Sequence, residues 1–312
     1  MARVARQGAS APVAVEPGSL VSLLRSWELS LRAARKSPKT IRSYLESGRQ
    51  LADFLGAAGM PVDVAAIRRE HVEAFIVDVM DQWAVSTAAT RFRGLQQLFK
   101  WMVEEGEIER SPMERMRPPK LEEVPVPVLG EADLKKLIAS CKGKEFVERR
   151  DEAIIRLFAD GGPRCAELVG LRVEDIDFDL GVAYVTGKGA RGRAVPFGDE
   201  TARALDRYLR VRARHRLARL DALWLGTRGA MTDSGVRQVV KRRGQAAGIE
   251  DLHPHVLRHS SVHHFLSDGG QEGDAMRIYG WKSRQMLDRY GASAADQRAR
   301  EAHRRHGIGD RI

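Results

Sequence analysis

Cysteine is scarce in this sequence of 312 residues, which contains only Cys141 and Cys165. They form neither a C-x-x-C motif nor a disulfide framework, so we expect a reduced, cytoplasmic protein. Long apolar runs are also missing, because none approaches the ~20 residues that span a bilayer. Gly, Pro and Glu interrupt the first residues, which argues against a signal-peptide core. The sequence therefore predicts a soluble protein.

Motifs for metals and nucleotides are incomplete. His259 and His263 are four residues apart, a helical spacing that could hold zinc. However, the glutamate of an H-E-x-x-H motif is absent, and no nearby Cys or carboxylate clearly completes a site. The glycine-rich segment GKGARGR lacks the Ser or Thr that follows Gly-Lys in a P-loop. We therefore expect no metal and no cofactor, with a structural metal on the two histidines as the weaker alternative.

Positive charge is in excess. The chain has 52 Lys and Arg against 42 Asp and Glu, a formal charge of +10, and a pI of about 9.9. Such a surface attracts polyanions, most commonly nucleic acid, although many soluble proteins are equally basic. The length suits two domains of ordinary size.

Composition and periodicity divide the chain into four parts. Residues 1–18 are small, basic and contain Pro and Gly, which indicates a disordered arm. Residues 19–104 carry apolar side chains at helical spacing and predict a domain of four or five helices. Residues 105–128 are rich in Pro and charge, as linkers are. Residues 129–312 form the second domain, with a C-terminal tail.

This second domain contains one β-like region among helical patterns. Ile176 and Phe178, then Val182–Thr186, then Ala194–Phe197 are separated by Gly-rich turns. They predict a small three-stranded antiparallel sheet. The expected fold class is therefore mainly α, with one helical domain followed by a mostly helical domain that contains this sheet.

Basic clusters are candidates for phosphate contact. From Arg32 to Arg42 there are five basic residues and no acidic one, where a helix is predicted to begin. A solvated basic face is the alternative for this cluster, for the fourth predicted helix, and for the Gly-rich turn. The candidate DNA-contact residues are Arg32, Arg35, Lys36, Lys39, Arg42, Arg91, Arg93, Lys100, Arg191 and Arg193.

The segment from His253 to Tyr290 carries the main chemical signal. His255 and Arg258 are three residues apart, which places them on one helix face, and Tyr290 follows Trp281 by nine residues. Arginine binds phosphate with a fork of donors, histidine moves protons near neutral pH, and a tyrosine hydroxyl can attack phosphorus. These residue types suggest phosphoryl transfer through a phosphotyrosine, although an isolated tyrosine is more often a packing residue.

The order of these residues resembles the catalytic domain of the tyrosine recombinases, the family of phage integrases and Xer-type resolvases. The family's earlier arginine fits Arg164, which continues as R-x-x-E-L through Glu167 and Leu168. Its hairpin lysine fits Lys188, in a glycine-rich turn where a surface lysine would also be common. The resemblance covers roughly residues 19–306. It departs from the family where Gly-Gly-Pro precedes the arginine in place of Thr-Gly-Leu or similar.

The resemblance implies an activity and a set of catalytic residues. Tyr290 would attack the scissile phosphate to form a 3′-phosphotyrosyl link and release a 5′-hydroxyl. Arg164 and Arg258 would bind the non-bridging oxygens, while His255 and Lys188 would move protons. The implied catalytic set is Arg164, Lys188, His255, Arg258, Trp281 and Tyr290.

The resemblance also implies partners. These are duplex DNA recombination sites and a homotetramer that exchanges strands through a Holliday junction, without a metal, a high-energy cofactor or a membrane. A hetero-oligomer with a related recombinase and an accessory protein that sets direction are further partners that it allows. Residues 19–104 would be the family's core-binding (SAM-like) domain. Two alternative activities stay open, namely relaxation like that of a type IB topoisomerase and DNA binding without catalysis.

Overall fold

The computed structural model describes residues 18–121, 127–186, 192–281, 283–284, 286–287, 299–300 and 303–304 of the chain. The chain divides into two compact units, Met1–Glu123 and Val124–Ile312. The arm expected at residues 1–18 lies outside the described ranges except for Gly18. Within these ranges, no helix is long and apolar enough to cross a membrane. The finer domain limits expected from the sequence stay predictions.

The described residues of the first unit form four α-helices. They are α1 (Leu20–Ala33), α2 (Pro38–Ala57), α3 (Arg69–Gln82) and α4 (Val85–Glu104), with a short 3-10 turn at Val64–Ala66. The side chains of Ser19 and Ser37 cap α1 and α2 by accepting backbone N–H bonds, which satisfies donors that a helix start leaves open. Pro38 is the first residue of α2, where its missing N–H costs nothing.

Small residues let α2 and α4 cross closely in the core of this unit. A Cβ atom added to Gly94 would lie 2.4 Å from Ser47 Oγ and 2.8 Å from Ser47 Cβ. One added to Gly48 would lie 2.6 Å from Leu24 Cδ2. Because interiors are close-packed, these positions leave no room for a larger side chain. The large buried side chains around them are Leu20, Trp27, Leu51, Phe75, Phe92 and Leu95.

Part of the segment expected to be a linker packs onto this core. Ile108 and Met113 are buried in it, and Met116 is packed against it. Residues 122–126 lie outside the described ranges. Proline and charged residues dominate the composition of residues 105–128, and for that reason the sequence predicted a linker. Three apolar side chains in the first half of this segment nevertheless anchor it to the first unit.

The second unit combines helices with one small sheet, which confirms the predicted fold class. The helices are α5 (Glu131–Ala139), α6 (Phe146–Gly161), α7 (Cys165–Val169), α8 (Asp199–Arg212), α9 (Asp233–Ala246), α10 (Pro254–Ser267) and α11 (Glu272–Tyr279). The strands are β1 (Ile176–Asp177), β2 (Val182–Thr186) and β3 (Gly192–Pro196), antiparallel in the order β1-β2-β3.

The register of the sheet decides which side chains of β3 face the core. Ala183 pairs with Val195, and Val185 pairs with Arg193. Ala183, Val185 and Val195 are buried. Side chains alternate along a strand, so Arg193 shares a face with buried Val195. The hairpin tip at residues 187–191 lies outside the described ranges.

Helix α6 is the central element of the second unit and packs against α8 and α10. It carries a fully buried carboxylate, Asp151, which accepts hydrogen bonds from three arginines. Arg150 bonds Oδ1 at 2.8 and 3.1 Å, while Arg242 and Arg243 of α9 bond Oδ2 at 2.8 and 2.9 Å. A buried carboxylate is tolerated only when it is paired in this way. The network therefore ties α6 to α9.

Two glycine substitutions test the close crossing of α2 and α4. Gly94→Ala should lower the free energy of unfolding by about 1–3 kcal/mol, because the new methyl group overlaps Ser47. Gly56→Ala in α2 is the matched control, since nothing lies within 4 Å of its added Cβ. The control should be neutral or stabilising by roughly 0.5–1 kcal/mol, the gain in helix propensity. Urea unfolding followed by circular dichroism measures both, and equal effects would contradict this packing.

Candidate active site

A Gly-Gly-Pro turn at the end of α6 directs Arg164 out of the core. Gly161 approaches β3 so closely that a Cβ atom would lie 2.1 Å from Val195 Cγ1. Gly162 caps α6 with φ of 49°, a left-handed conformation that glycine adopts without penalty. Pro163 then prevents the helix from continuing. The departure from the family pattern noted in the sequence therefore has a local structural role.

Arg164 directly precedes α7 as its N-cap residue, and Glu167 holds it from three residues later. Glu167 Oε2 accepts the Arg164 backbone N–H at 2.8 Å, and Oε1 accepts Nη1 at 2.8 Å. Nη2 of Arg164 donates to the carbonyl of Gly280 at 3.2 Å. The side chain is nevertheless 46% exposed. Arg164 is thus oriented by the protein while remaining accessible to a ligand.

Arg258 of α10 is held at the ends of two other helices. It is only 3% exposed, and it donates to the carbonyls of Gly162 and Tyr279, each at 2.5 Å. Its guanidinium carbon lies 5.6 Å from the ring centre of Tyr279 and 5.9 Å from that of Trp281. Backbone acceptors and aromatic faces both stabilise a buried cation.

The end of α11 positions Trp281. Gly280 ends the helix with φ of 64°, and the Trp281 backbone N–H bonds to Met276 O at 2.9 Å. The indole is nearly buried and stacks on Tyr279 with ring centres 5.4 Å apart. The hydroxyl groups of Tyr279 and Ser261 lie 2.9 Å apart, and burial raises the pKa of Tyr279 to about 12. Tyr279 therefore packs in the core.

Arg193 also reaches this turn, from β3. Its Nη2 donates to Glu167 Oε2 at 2.7 Å, and its Nη1 donates to the carbonyl of Ile278. Its side chain is 13% exposed. The sequence placed Arg193 among the DNA contacts, but these bonds direct its donors into the protein. Its spacing of two residues from the apolar Val195, which puts both side chains on one face of the strand, was the signal for an inward side chain.

The site carries a positive charge balance. Burial opposes ionisation of Glu167, but the Arg164 backbone N–H, Arg193 and the Arg164 side chain outweigh it and lower the pKa of Glu167. The carboxylate therefore stays ionised near neutral pH. Among the described residues, the guanidinium groups of Arg164, Arg193 and Arg258 surround these turns, and Glu167 is a carboxylate that bonds the first two of them. Such an arrangement suits a phosphodiester anion.

The structure describes only part of the predicted catalytic set. It brings Arg164, Arg258 and Trp281 together around the ends of α6 and α11. His255 is half-buried near the start of α10, with its ring centre 6.3 Å from that of His253. Lys188, Arg191 and Tyr290 lie outside the described residues. Sequence reasoning did not predict that the carbonyls of Gly162, Tyr279 and Gly280 would hold the arginines. The available signal was a glycine one or two residues before a predicted catalytic residue, because such a glycine often ends a helix.

The predicted DNA-contact residues of the first unit differ in exposure. Arg32, Arg35, Lys36, Lys39 and Arg42 are exposed where α1 ends and α2 begins. In that cluster, Arg35 adopts a left-handed φ of 52°, and Arg32 pairs with Glu28. On α4, Arg93 and Lys100 are exposed, whereas Arg91 is half-buried. Their contact with DNA stays a prediction.

The cysteines and histidines considered for other chemistry are mostly packed. Burial raises the pKa of Cys141 to about 11 and that of Cys165 to about 12, so both thiols stay protonated at neutral pH. His259 is buried, and His263 is half-buried with a pKa lowered by desolvation. Across the described ranges, no group of three or more His, Cys, Asp or Glu is placed to hold a metal.

Comparison with known proteins agrees with this geometry. Residues 127–297 match the phage integrase family, and residues 23–107 match the phage integrase N-terminal SAM-like domain. Tyrosine recombinase XerC of Corynebacterium efficiens is 32% identical over 273 residues, which cover 86% of this chain and 85% of the relative.

Two solved structures share the fold. XerH site-specific recombinase in a post-cleavage complex with palindromic difH substrate has a TM-score of 0.74 at 18% identity, covering 90% of this chain and 84% of that chain. A lambda integrase tetramer bound to a Holliday junction has a TM-score of 0.67 at 18% identity, covering 85% and 78%. The family match spans more than half of the sequence. The chain therefore belongs to the phage integrase family of tyrosine recombinases.

Proposed function

We propose that this protein is a site-specific DNA recombinase that cleaves and rejoins duplex DNA through a 3′-phosphotyrosyl intermediate. One observation carries the proposal. Arg164 and Arg258, far apart in sequence, are bonded to consecutive carbonyls at the end of α11, those of Gly280 and Tyr279. The chain continues from this turn through Trp281 and reaches Tyr290 nine residues later. This observation supports the proposal, because two cations that would bind phosphate are held at the turn from which the chain leads to the proposed nucleophile.

Cleavage begins at the hydroxyl of Tyr290. Its oxygen attacks the scissile phosphorus and gives its proton to His255. The bond from phosphorus to the 5′-oxygen breaks, and Lys188 protonates that oxygen as it leaves. A 3′-phosphotyrosyl ester and a 5′-hydroxyl result, so the energy of the backbone bond is retained. Rejoining reverses these steps when a 5′-hydroxyl from the partner strand attacks the ester.

The arginines stabilise the charge that develops on the non-bridging oxygens. Donors that are already oriented require no reorganisation during the reaction, and removal of one such donor commonly costs about 10²–10³-fold in rate. Arg164 is held by Glu167 and exposed, whereas Arg258 is buried at two helix ends. The low dielectric around Arg258 strengthens its attraction for a phosphate.

Strand exchange requires more than one copy of the protein. Four protomers on two duplex sites, acting through a Holliday junction, is the arrangement we propose, either as a homotetramer or with a related recombinase. An accessory protein that sets direction is a further candidate partner. The exposed basic residues where α1 meets α2 would contact phosphates from the first unit. Because the substrate is DNA, we expect the protein to act in the cytoplasm.

Topoisomerase-like relaxation and DNA binding without catalysis are the two competing activities. The matches to an integrase catalytic domain and to an integrase SAM-like domain favour the recombinase over both. A nicked suicide duplex that carries the protein's footprinted site separates them. Covalent trapping excludes a pure binder, and joined products from two duplexes exclude simple relaxation.

Tyr290→Phe tests the nucleophile. The variant should bind DNA like the wild type and form no denaturant-resistant adduct with the nicked duplex, because only the attacking oxygen is removed. Denaturing gel electrophoresis of labelled DNA measures the adduct. Tyr279→Phe is the matched control, since it removes a buried hydroxyl that bonds to Ser261. The control should still form the adduct, and an adduct in Tyr290→Phe would assign the nucleophile to another residue.

Lys188→Ala tests the general acid. Cleavage of ordinary DNA should slow, while DNA with a 5′-bridging phosphorothiolate should be cleaved at close to the wild-type rate, because sulfur leaves without a proton. Arg164→Ala provides the comparison, since its loss leaves the phosphate charge unstabilised on either substrate. It should therefore be slow on both. Equal defects of Lys188→Ala on both substrates would exclude the acid role.

A further inference from the structure

Arg193 lies at a junction that the proposed chemistry does not use. It belongs to β3, the strand that follows the hairpin tip at residues 187–191. Its side chain points inward and lies between α7 and the end of α11, where it is 13% exposed. Arg164, which the proposed mechanism does use, is 46% exposed. The two arginines therefore have different access to a ligand although they share one carboxylate.

The contacts of Arg193 leave it little freedom. Its Nη2 bonds Glu167 Oε2 at 2.7 Å, and its Nη1 bonds the carbonyl of Ile278. Gly280 faces the same guanidinium, because a Cβ atom there would lie 2.8 Å from Nε and 2.9 Å from Cδ of Arg193. Gly280 thus meets two requirements, a left-handed φ of 64° and space for Arg193. A residue larger than glycine at position 280 would therefore collide with the Arg193 side chain.

These contacts complete a ring of hydrogen bonds. Arg193 holds Glu167, Glu167 holds Arg164 at 2.8 Å, and Arg164 holds the Gly280 carbonyl at 3.2 Å. The ring returns to Arg193 through the Ile278 carbonyl at the end of the same helix. Removing Arg193 would open the ring at two points. It would remove one of the two donors to Glu167 Oε2, which would keep the Arg164 backbone N–H, and it would release the Ile278 carbonyl near the turn that presents Trp281.

We propose that Arg193 is a positioning residue that holds Arg164 and the end of α11 in register with the β2–β3 hairpin. The proposal rests on the recombinase function proposed above. The Arg193 side chain joins strand β3 to Glu167 of α7 and to the end of α11. A planar fork with separate donors can satisfy Glu167 and Ile278 together, whereas a lysine ammonium is a single point charge.

A phosphate contact is the competing role for Arg193, and DNA binding separates the two. Loss of a phosphate contact weakens DNA binding and reduces the slope of log K against log salt by about 1. Loss of a positioning residue leaves both nearly unchanged and slows cleavage, because a displacement of about 1 Å costs on the order of 10²-fold.

The test uses Arg193→Gln and Arg193→Lys in the full chain, with a nicked duplex carrying the footprinted site. In Arg193→Gln, single-turnover cleavage should fall roughly 10- to 100-fold while the Kd changes less than about threefold. Arg193→Lys should be intermediate. The matched control is Arg156→Gln on α6, since Arg156 is 19% exposed and pairs with Glu152 at 3.0 Å. Its cleavage rate should equal that of the wild type.

The pH profile of cleavage distinguishes positioning from general destabilisation. The charged groups that change the pKa of Glu167 are Arg164 and Arg193. Helix α9 also packs against α7, but its charged residues Asp233 and Arg237 change the pKa of Cys165. The pKa of Glu167 is lowered in the folded protein. Its bonds to the two arginines are therefore fully formed above the ordinary pKa of a glutamate, and they are lost as the pH falls through the lowered pKa of the folded protein. Without Arg193 that pKa rises, and the acid limb of the profile should move to higher pH. A merely structural defect would lower the rate at every pH.

The outcomes separate this inference from the proposed function. A wild-type protein that binds its site and forms no adduct contradicts the recombinase function. An active wild type with normal cleavage by Arg193→Gln, or with weakened binding and a reduced salt slope, overturns the positioning role. A stability cycle between Arg193→Gln and Glu167→Gln needs no cleavage. The two effects on unfolding should be non-additive, and additive effects would also overturn the inference.

Discussion

Two helix ends determine how the active site is built. Gly162 and Gly280 end α6 and α11 in the left-handed region, where the last carbonyls of a helix need partners. Arg258 is buried and donates to the carbonyls of Gly162 and Tyr279. The buried guanidinium of Arg258 needs hydrogen-bond acceptors, and the helix-end carbonyls need donors. The negative end of each helix dipole also favours the positive charge. These two bonds help to hold a charged arginine inside the protein.

Among the described residues of the second unit, the buried carboxylates Asp151 and Glu167 have different tasks. Asp151 is fully buried and accepts bonds from three arginines, which join α6 to α9. Loss of the carboxylate from such a network commonly costs about 3–5 kcal/mol, since the buried Arg150 is left without its charge partner. Glu167 lies beyond the end of the same helix and is shared by Arg164 and Arg193. Asp151 stabilises the scaffold, whereas Glu167 orients an arginine that stays accessible.

Local signals predicted the elements of this fold better than the neighbours of particular side chains. Apolar residues at helical spacing predicted the helices of the first unit, and Gly-rich turns separated the segments predicted to be strands. Spacing selected Arg258, but it could not indicate that its partners would be backbone carbonyls from distant helix ends. Arg193 lies two residues from the apolar Val195, so the strand pattern indicated that it points inward. Its positive charge nevertheless favoured an assignment to the surface. Apolar anchors such as Met113 were concealed by the proline-rich composition around them.

Reversible strand transfer explains why fixed arginines suit this reaction. The phosphotyrosyl ester retains the energy of the DNA backbone bond, so cleavage and rejoining are nearly balanced and pass through related transition states. Binding energy that favoured one covalent state would slow the opposite direction. Donors anchored to the carbonyl of Gly162 and to the carboxylate of Glu167 depend on the fold and not on which strand is attached. In the proposed mechanism they would therefore stabilise the charge on the phosphoryl oxygens in both directions without reorganisation.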